Sequence, residues 1–259
     1  MMWFYGYSVA TGSGKHIQHH HPGQDQAHTH QAGGVDGLAV QPPGGQCDQY
    51  DAQPRPHGVG DAHRNGLEHQ RQAVKRHAVT HHHNDHIGGV ADLQAAYPDV
   101  AVYGPEDIAC VNQALKEGQE LNLLGQVWRV WFVPGHTHNH LAYILRIEGK
   151  NRLHVFCGDT LFSAGCGRVF SGTMAELEQS LARFAGLPKD TLFYPAHEYT
   201  ASNLRFALSV EPGNEAASKA LEAASKIPTL PVNLKHEKEV NPFLRLDAPE
   251  IIATVAAKN

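Results

Sequence analysis

Beyond about residue 78, apolar residues occur in two rhythms. QVWRVWFVPGH (126–136) and HLAYILRI (140–147) are short runs of β-branched and aromatic residues, and they predict strong strands. RLHVFCGDT (152–160) predicts a third buried strand ending on Asp159. DVAVYGP (99–105) predicts a short strand and a turn, and TLFYPAHEYT (191–200) a strand whose end carries His197. Elsewhere the spacing is three and four. Val90, Leu93 and Tyr97 predict a short helix ended by Pro98. In TMAELEQSLARFAGLP (173–188), Thr173 and Glu176 make a capping box ahead of the stripe Leu177, Leu181 and Phe184, and Gly186 and Pro188 stop the helix. Further helices are predicted at about 199–209 and 213–226. AVKRHAV (73–79) is a poor strand, although the segment after it is of the kind that follows one. Strands alternating with helices make an α/β domain.

The first 75 residues follow neither rhythm. Stretches such as HIQHHHPGQDQAHTHQAGG are rich in Gln, His, Gly and Pro, and Val, Ile and Leu total eight in these 75 residues. Such a composition buries too little apolar area to offset its ordering entropy. Three readings stay open: a His-rich metal-storage tract, a disordered tail, or sequence read out of frame and joined to a properly framed remainder near residue 76. Residues 1–77 are therefore set apart as an atypical low-complexity segment. The opening MMWFYGYSVATGSGK lacks the basic region, long apolar stretch and cleavage site of a signal peptide. No run of 18 apolar residues predicts a membrane span. A formal net charge of -5 gives no reason to expect nucleic acid as a partner. The four cysteines, Cys47, Cys110, Cys157 and Cys166, lack CxxC spacing and predict reduced thiols in a cytoplasmic protein.

Each strong polar cluster comes just after a predicted strand: HHHNDH (81–86), PGHTHNH (134–140), CGDT (157–160) and PAHEYT (195–200). In extended chain, side chains alternate faces, so His81, His83 and Asp85 point one way and His82 and Asn84 the other. His86 then turns with the chain into a helix, and Gly88 and Gly89 let that helix approach closely. Neutral imidazole and carboxylate are ligands for divalent cations. The spacing suits two cations, one on His81 and His83, the other on Asp85 and His86, with His136, Asp159 and His197 completing the shells. Asp159 is the natural bridge, because two close cations need negative charge between them. His138 and His140 read as loop residues or supports behind the ligands, His154 as part of a strand face, and His82 as a neighbour. One histidine alone would more often be a core or surface residue; seven ligand-type groups at strand ends are harder to explain that way. A thiol hydrolase built on Cys157 or Cys166 is the alternative chemistry, but no base is paired with either.

THHHNDHIGG, PGHTHNH, CGDTLFSAGCGRVF, PAHEYT and VNPFLR together resemble the metallo-β-lactamase superfamily and, within it, the glyoxalase II (hydroxyacylglutathione hydrolase) family. HxHxDH marks only the superfamily, whereas GDTLFSAGCGR, AHEYT and NPFLR narrow it. The resemblance implies an α/β fold of the αββα sandwich type. It is expected to be incomplete at its N-terminal half, because the 1–77 segment replaces the family's first strands and leaves the motif strand's edge bare. A catalytic domain over 78–210 and a helical substrate-binding region over 211–259, truncated against the family pattern, are also implied. So are two Zn2+ per chain, for which iron or manganese would suit the same donors: His81, His83 and His136 on the first, Asp85, His86 and His197 on the second, Asp159 bridging. Arg168, Phe170 (where some members have tyrosine) and Tyr199 match substrate contacts.

The implied reaction is hydrolysis of S-D-lactoylglutathione to D-lactate and glutathione. Zinc lowers the pKa of a bound water to about 7, supplying a hydroxide between the two ions that attacks the thioester carbonyl. Asp159 holds that bridge and Asp85 orients the hydroxide, so these two are the expected catalytic carboxylates. The implied partner is a small-molecule glutathione thioester, with no nucleic acid and no membrane, and the chain is expected to act as a monomer. An inactive family remnant and another hydrolase of the same fold remain as alternatives.

Overall fold

The structure, a computed structural model, describes residues 76–147, 149–225 and 228–258, and the backbone of three short strands ahead of them. Apart from those strands, the expectations for residues 1–77 lie outside the described residues, as does Cys47.

Two sheets stack with helices outside them. The first has the order β3-β2-β1-β4-β5-β6, with β1 Met2–Phe4, β2 Tyr7–Val9, β3 Ile17–His19, β4 Arg76–Ala78, β5 Ala101–Gly104 and β6 Gln113–Ala114. The poorly patterned AVKRHAV does form a strand, because β4 is paired on both sides: parallel to β1, with Trp3 opposite His77, and parallel to β5. The expectation of a bare edge beside the motif strand is thereby corrected, since β1 occupies that edge. The second sheet has the order β14-β13-β10-β9-β8-β7, with β7 Glu120–Leu123, β8 Gln126–Phe132, β9 Leu141–Arg146, β10 Leu153–Gly158, β13 Leu192–Pro195 and β14 Val232–Asn233. A small hairpin, β11 Leu161–Phe162 and β12 Gly165–Cys166, stands apart.

Between the sheets lies a core of Ala78, Leu121, Trp128, Val130, Tyr143, Leu145, Phe156 and Tyr194. Helix α2 (Val90–Ala96) covers the outer face of the first sheet through Val90, against Val79 and Val102. Helix α3 (Met174–Ala185) covers the outer face of the second, where Leu177, Leu181 and Phe184 meet Ala142, Ile144, Val155 and Phe193. Both faces of β9 are buried, so LAYILR reads as a continuous apolar run. The predicted capping box of α3 is present in both directions, between Thr173 and Glu176. Four further helices pack as a group beyond β13: α4 Thr200–Val210, α5 Glu215–Ala224, α6 Leu234–Val240 and α7 Pro249–Lys258. The first three share a core that includes Leu204, Ala217, Val240 and Ala164 of the small hairpin. The last two helices and the hairpin had no periodic signal in the sequence.

Strand direction decides where chemistry can gather. β8 and β10 each run antiparallel to β9, and β13 runs parallel to β10, so the C-terminal ends of β8, β10 and β13 lie along one edge. The end of β4 is tied to that edge by two hydrogen bonds across the sandwich. Leu141 N–H donates to the Thr80 carbonyl at 2.8 Å, and the buried Tyr143 hydroxyl donates to the Val79 carbonyl at 2.6 Å.

Candidate metal centre

Four loops, one after each of β4, β8, β10 and β13, converge on one cluster. His81 offers Nε2 and His83 offers Nδ1, 3.0 Å apart, and His136 Nε2 lies 3.1 Å from the same His83 nitrogen. Beside them, Asp85 Oδ2 is 3.6 Å from His86 Nε2 and 3.2 Å from His197 Nε2. Asp159 stands between the two groups: Oδ1 is 3.2 Å from His86 Nε2, while Oδ2 is 3.4 Å from His197 Nε2 and 3.7 Å from His136 Nε2. His81, His83 and His136 form one group close enough to share an ion, and Asp85, His86 and His197 form another. All seven residues expected as ligands are thus brought together.

The local path differs from the expected one. The extended chain ends at His83, which has β conformation and caps a helical turn, α1 (Asn84–Ile87). Alternation therefore places His81 and His83, but the helical turn places Asp85 and His86. The expected close approach at Gly89 is not made, since nothing lies within 4 Å of where its Cβ would be. His82 is exposed and the His138 ring lies at the surface near Glu176, whereas His140 is fully buried and stacks on His81 with centroids 4.7 Å apart. His154 is buried on β10 and hydrogen-bonded to the Tyr194 hydroxyl, in keeping with a strand-face role.

Supporting hydrogen bonds determine which ring nitrogens point inward. His136 Nδ1–H donates to the Arg168 carbonyl at 2.7 Å, which leaves Nε2 as the lone-pair nitrogen facing the cluster. Asp159 N–H donates to His140 Nε2 at 3.2 Å, so His140 Nδ1–H is the donor toward Thr160 Oγ1. His81 Nδ1 pairs with Thr80 Oγ1 at 3.1 Å. Sequence inspection missed Thr80 and the Arg168 carbonyl, and a backbone acceptor carries no residue-type signal.

Electrostatics keep the nitrogens available. Burial, with His140 and His86 beside it, holds His81 far below the usual histidine range. Burial likewise lowers His83 and His136, and pushes the enclosed His140 down to about 3. Burial alone would raise Asp159, but hydrogen bonds from His197 and His86 outweigh it and hold the carboxyl well below its usual range. The converse holds at His197, where burial would lower the ring but Asp159 and Asp85 raise it. Imidazole nitrogens 3.0–3.1 Å apart need a proton or a cation between them, and three of them converge here. The donor set, nitrogens flanking a buried carboxylate, fits divalent metal.

Around the cluster, Phe170 is exposed with its ring 4.9 Å from His83 and 5.3 Å from His136, and the Arg168 guanidinium lies 5.7 Å from the Phe170 centroid. Tyr199 stacks on His197 at 5.2 Å and meets Phe162 edge-on at 5.2 Å. Cys157 is buried with its thiol donating to the Leu161 carbonyl, and burial raises it; burial also pushes Cys166 up to about 12. Neither thiol is a ready nucleophile.

A two-sheet sandwich carrying a His/Asp cluster at its strand ends defines a metallohydrolase of the metallo-β-lactamase superfamily, and residues 73–197 match the model of that superfamily. Residues 198–259 match the model described as the hydroxyacylglutathione hydrolase C-terminus. A hydroxyacylglutathione hydrolase from Neisseria meningitidis serogroup C is 53% identical over 173 residues, covering 67% of this chain and 68% of that protein. One from Vibrio parahaemolyticus is 48% identical over 185 residues, covering 69% and 71%. Among solved structures, ETHE1 from Myxococcus xanthus superposes with a TM-score of 0.51 at 26% identity, covering 75% of this chain and 77% of that one. A metallo-β-lactamase from Staphylococcus aureus, at 16% identity and a TM-score of 0.51, covers 76% and 57% and shares the fold. The chain belongs to the hydroxyacylglutathione hydrolase family.

Proposed function

We propose that this chain hydrolyses S-(2-hydroxyacyl)glutathione thioesters, S-D-lactoylglutathione among them, to the 2-hydroxy acid and glutathione. The observation that carries the reading is Asp159, whose two oxygens reach His86, His197 and His136 and so touch both ligand groups at once. His81, His83 and His136 would hold one zinc ion, and Asp85, His86 and His197 a second, with Asp159 shared between them. Such ions supply a water activated near neutral pH and a polarised thioester carbonyl.

The chain's own residues do the rest. Asp85, the more exposed carboxylate of the pair, receives a hydrogen bond from the attacking water and orients its lone pair toward the carbonyl carbon. The C–O bond forms and the C–S bond breaks; of the water's two protons, one goes to solvent as the nucleophile forms and the other passes from the new carboxyl group to the glutathione thiolate, so the products are the carboxylate and the thiol. Asp159 stays ionised throughout, consistent with its depressed pKa. In this reading Phe170 gives the acyl group an apolar wall, and Arg168 and Tyr199 meet the glutathione carboxylates and amides. The free thiols of Cys110, Cys157 and Cys166 suit a reducing cytoplasm. Among the described residues no helix is long and apolar enough to cross a membrane, and we take the working unit to be a monomer.

The test is metal content per chain by elemental analysis after exhaustive dialysis, followed by thioester and β-lactam hydrolysis assays on the same preparation. About two metals per chain with thioesterase activity and no lactamase activity is expected. Metal-loaded protein that leaves the thioester intact would refute the substrate assignment.

A further inference from the structure

Glu237 is fully buried in α6, yet the mechanism does not use it. Its Oε2 accepts from Ala164 N–H at 2.9 Å and from Asn241 Nδ2 at 2.9 Å. Asn241 Nδ2 also donates to the Gly165 carbonyl at 2.9 Å, and Asn203 Nδ2 of α4 donates to the Ser163 carbonyl at 2.9 Å. Side chains from the C-terminal helical region thus hold three backbone groups at the tip of the β11–β12 hairpin: the Ser163 carbonyl, Ala164 N–H and the Gly165 carbonyl. The grip holds an unfavourable shape: Ala164 has a φ of 56°, a left-handed conformation that an alanine adopts at a cost.

That hairpin is joined at both ends to the metal centre. It starts two residues after Asp159, and it ends two residues before Arg168, whose carbonyl orients His136. Its own Phe162 packs against His197 and Tyr199. We propose that the Glu237–Asn241 pair positions the 161–166 hairpin and, through Phe162 and Arg168, sets the substrate-facing side of the site. This role rests on the thioesterase reading above.

Below its raised pKa, Glu237 does so as a neutral acid. Burial raises its carboxyl to about 7, although Asn241, Ala164 and Ser163 all hydrogen-bond to it. The groups facing it are Ala164 and Ser163 from the hairpin, Cys157 from β10 and Asn241 from its own helix, and none of those acting on it is a cation. Glutamine keeps one acceptor oxygen for Ala164 N–H and Asn241 Nδ2 and stays uncharged at every pH.

The test compares full-length, metal-loaded wild type with Glu237→Gln and Glu237→Ala. If Glu237→Ala does not fold, Glu237→Met takes its place, filling the volume without polar atoms. Amide hydrogen exchange is read across 159–170 and 197–200, with kcat and KM for the thioester at pH 6 and pH 8.5. The expected result is faster exchange in those two segments for Glu237→Ala but not for Glu237→Gln, with KM raised about ten- to hundredfold in the alanine variant and metal content unchanged. Glu237→Gln should also lose the wild type's pH dependence of KM. Unchanged exchange and KM in Glu237→Ala would overturn the proposal, as would equal damage in the two variants or faster exchange spread evenly over α4–α6. A chain without thioesterase activity would refute the function above but leave the exchange measurement to decide the positioning role.

Discussion

At the scale of single residues, the cluster separates groups that matter from neighbours of the same type. Asp159 contacts both ligand groups, whereas the adjacent-looking His82 is exposed. Replacing Asp159 by Ala is expected to lower metal affinity and kcat/KM by at least about 100-fold, more than the loss of an outer-shell partner costs. His82→Ala should change stability by less than about 0.5 kcal/mol. Elemental analysis and urea titration check the two; two metals retained in Asp159→Ala would remove the bridge assignment. A third residue matters for a different reason. Tyr143→Phe leaves the Val79 carbonyl without its donor inside the sandwich, at a cost of about 1–3 kcal/mol. Denaturant midpoints measure it, and a neutral result would mean that the two sheets are not joined at the motif by this bond.

At the scale of elements, the ligand loops are held by the helices packed behind them. Gly135 has a φ of 135°, and a Cβ there would lie 2.4 Å from Leu177 Cα of α3. Gly135→Ala must therefore push the loop away from the helix and carry His136 with it. The expected outcome is a loss above about 2 kcal/mol together with weaker metal binding, measured by thermal melts with and without added zinc. Removing the α3 cap by Thr173→Ala should cost about 1 kcal/mol and leave metal content unchanged. These two elements also show what was legible in the sequence. The α3 stripe, its capping box and strands β8, β9, β10 and β13 follow from local periodicity. Strand β4 does not, because RHA acquires its conformation from partners β1 and β5 and not from its own residues. The hairpin β11–β12 is equally silent, since side chains from 40 to about 80 positions further along hold it.

At the scale of the whole molecule, metal and protons are coupled to folding. The lowered histidines of the cluster bind a proton more readily when unfolded, so they make the metal-free protein lose stability as pH falls below their usual range. Glu237 acts in the opposite sense. Its folded pKa of about 7 exceeds its usual 4.5, so the native state binds more protons between those values and stability falls as pH rises through that window. The difference in unfolding free energy between Glu237→Gln and wild type should grow from near zero at pH 4.5 to a few kcal/mol by about pH 8. Urea titrations across that range measure it, and a flat difference would mean that Glu237 is ionised in the native state. Chelation should lower the melting temperature, because a metal bound only by the folded site contributes its binding free energy to folding.

The sequence by itself determined the donor types, their place after strands, the layered α/β class and the family, because all of these follow from local pattern and motif. Only the tertiary structure decided which nitrogen of each ring faces inward, that Asp85 arrives on a helical turn, and that β1 covers the edge of β4. It alone joined α6 to the hairpin beside the site. Apart from the helical turn, whose bonds are local, these cases share a physical reason: each depends on a hydrogen bond or close contact between distant parts of the chain. Many run to backbone groups, which every residue carries and no residue name reveals.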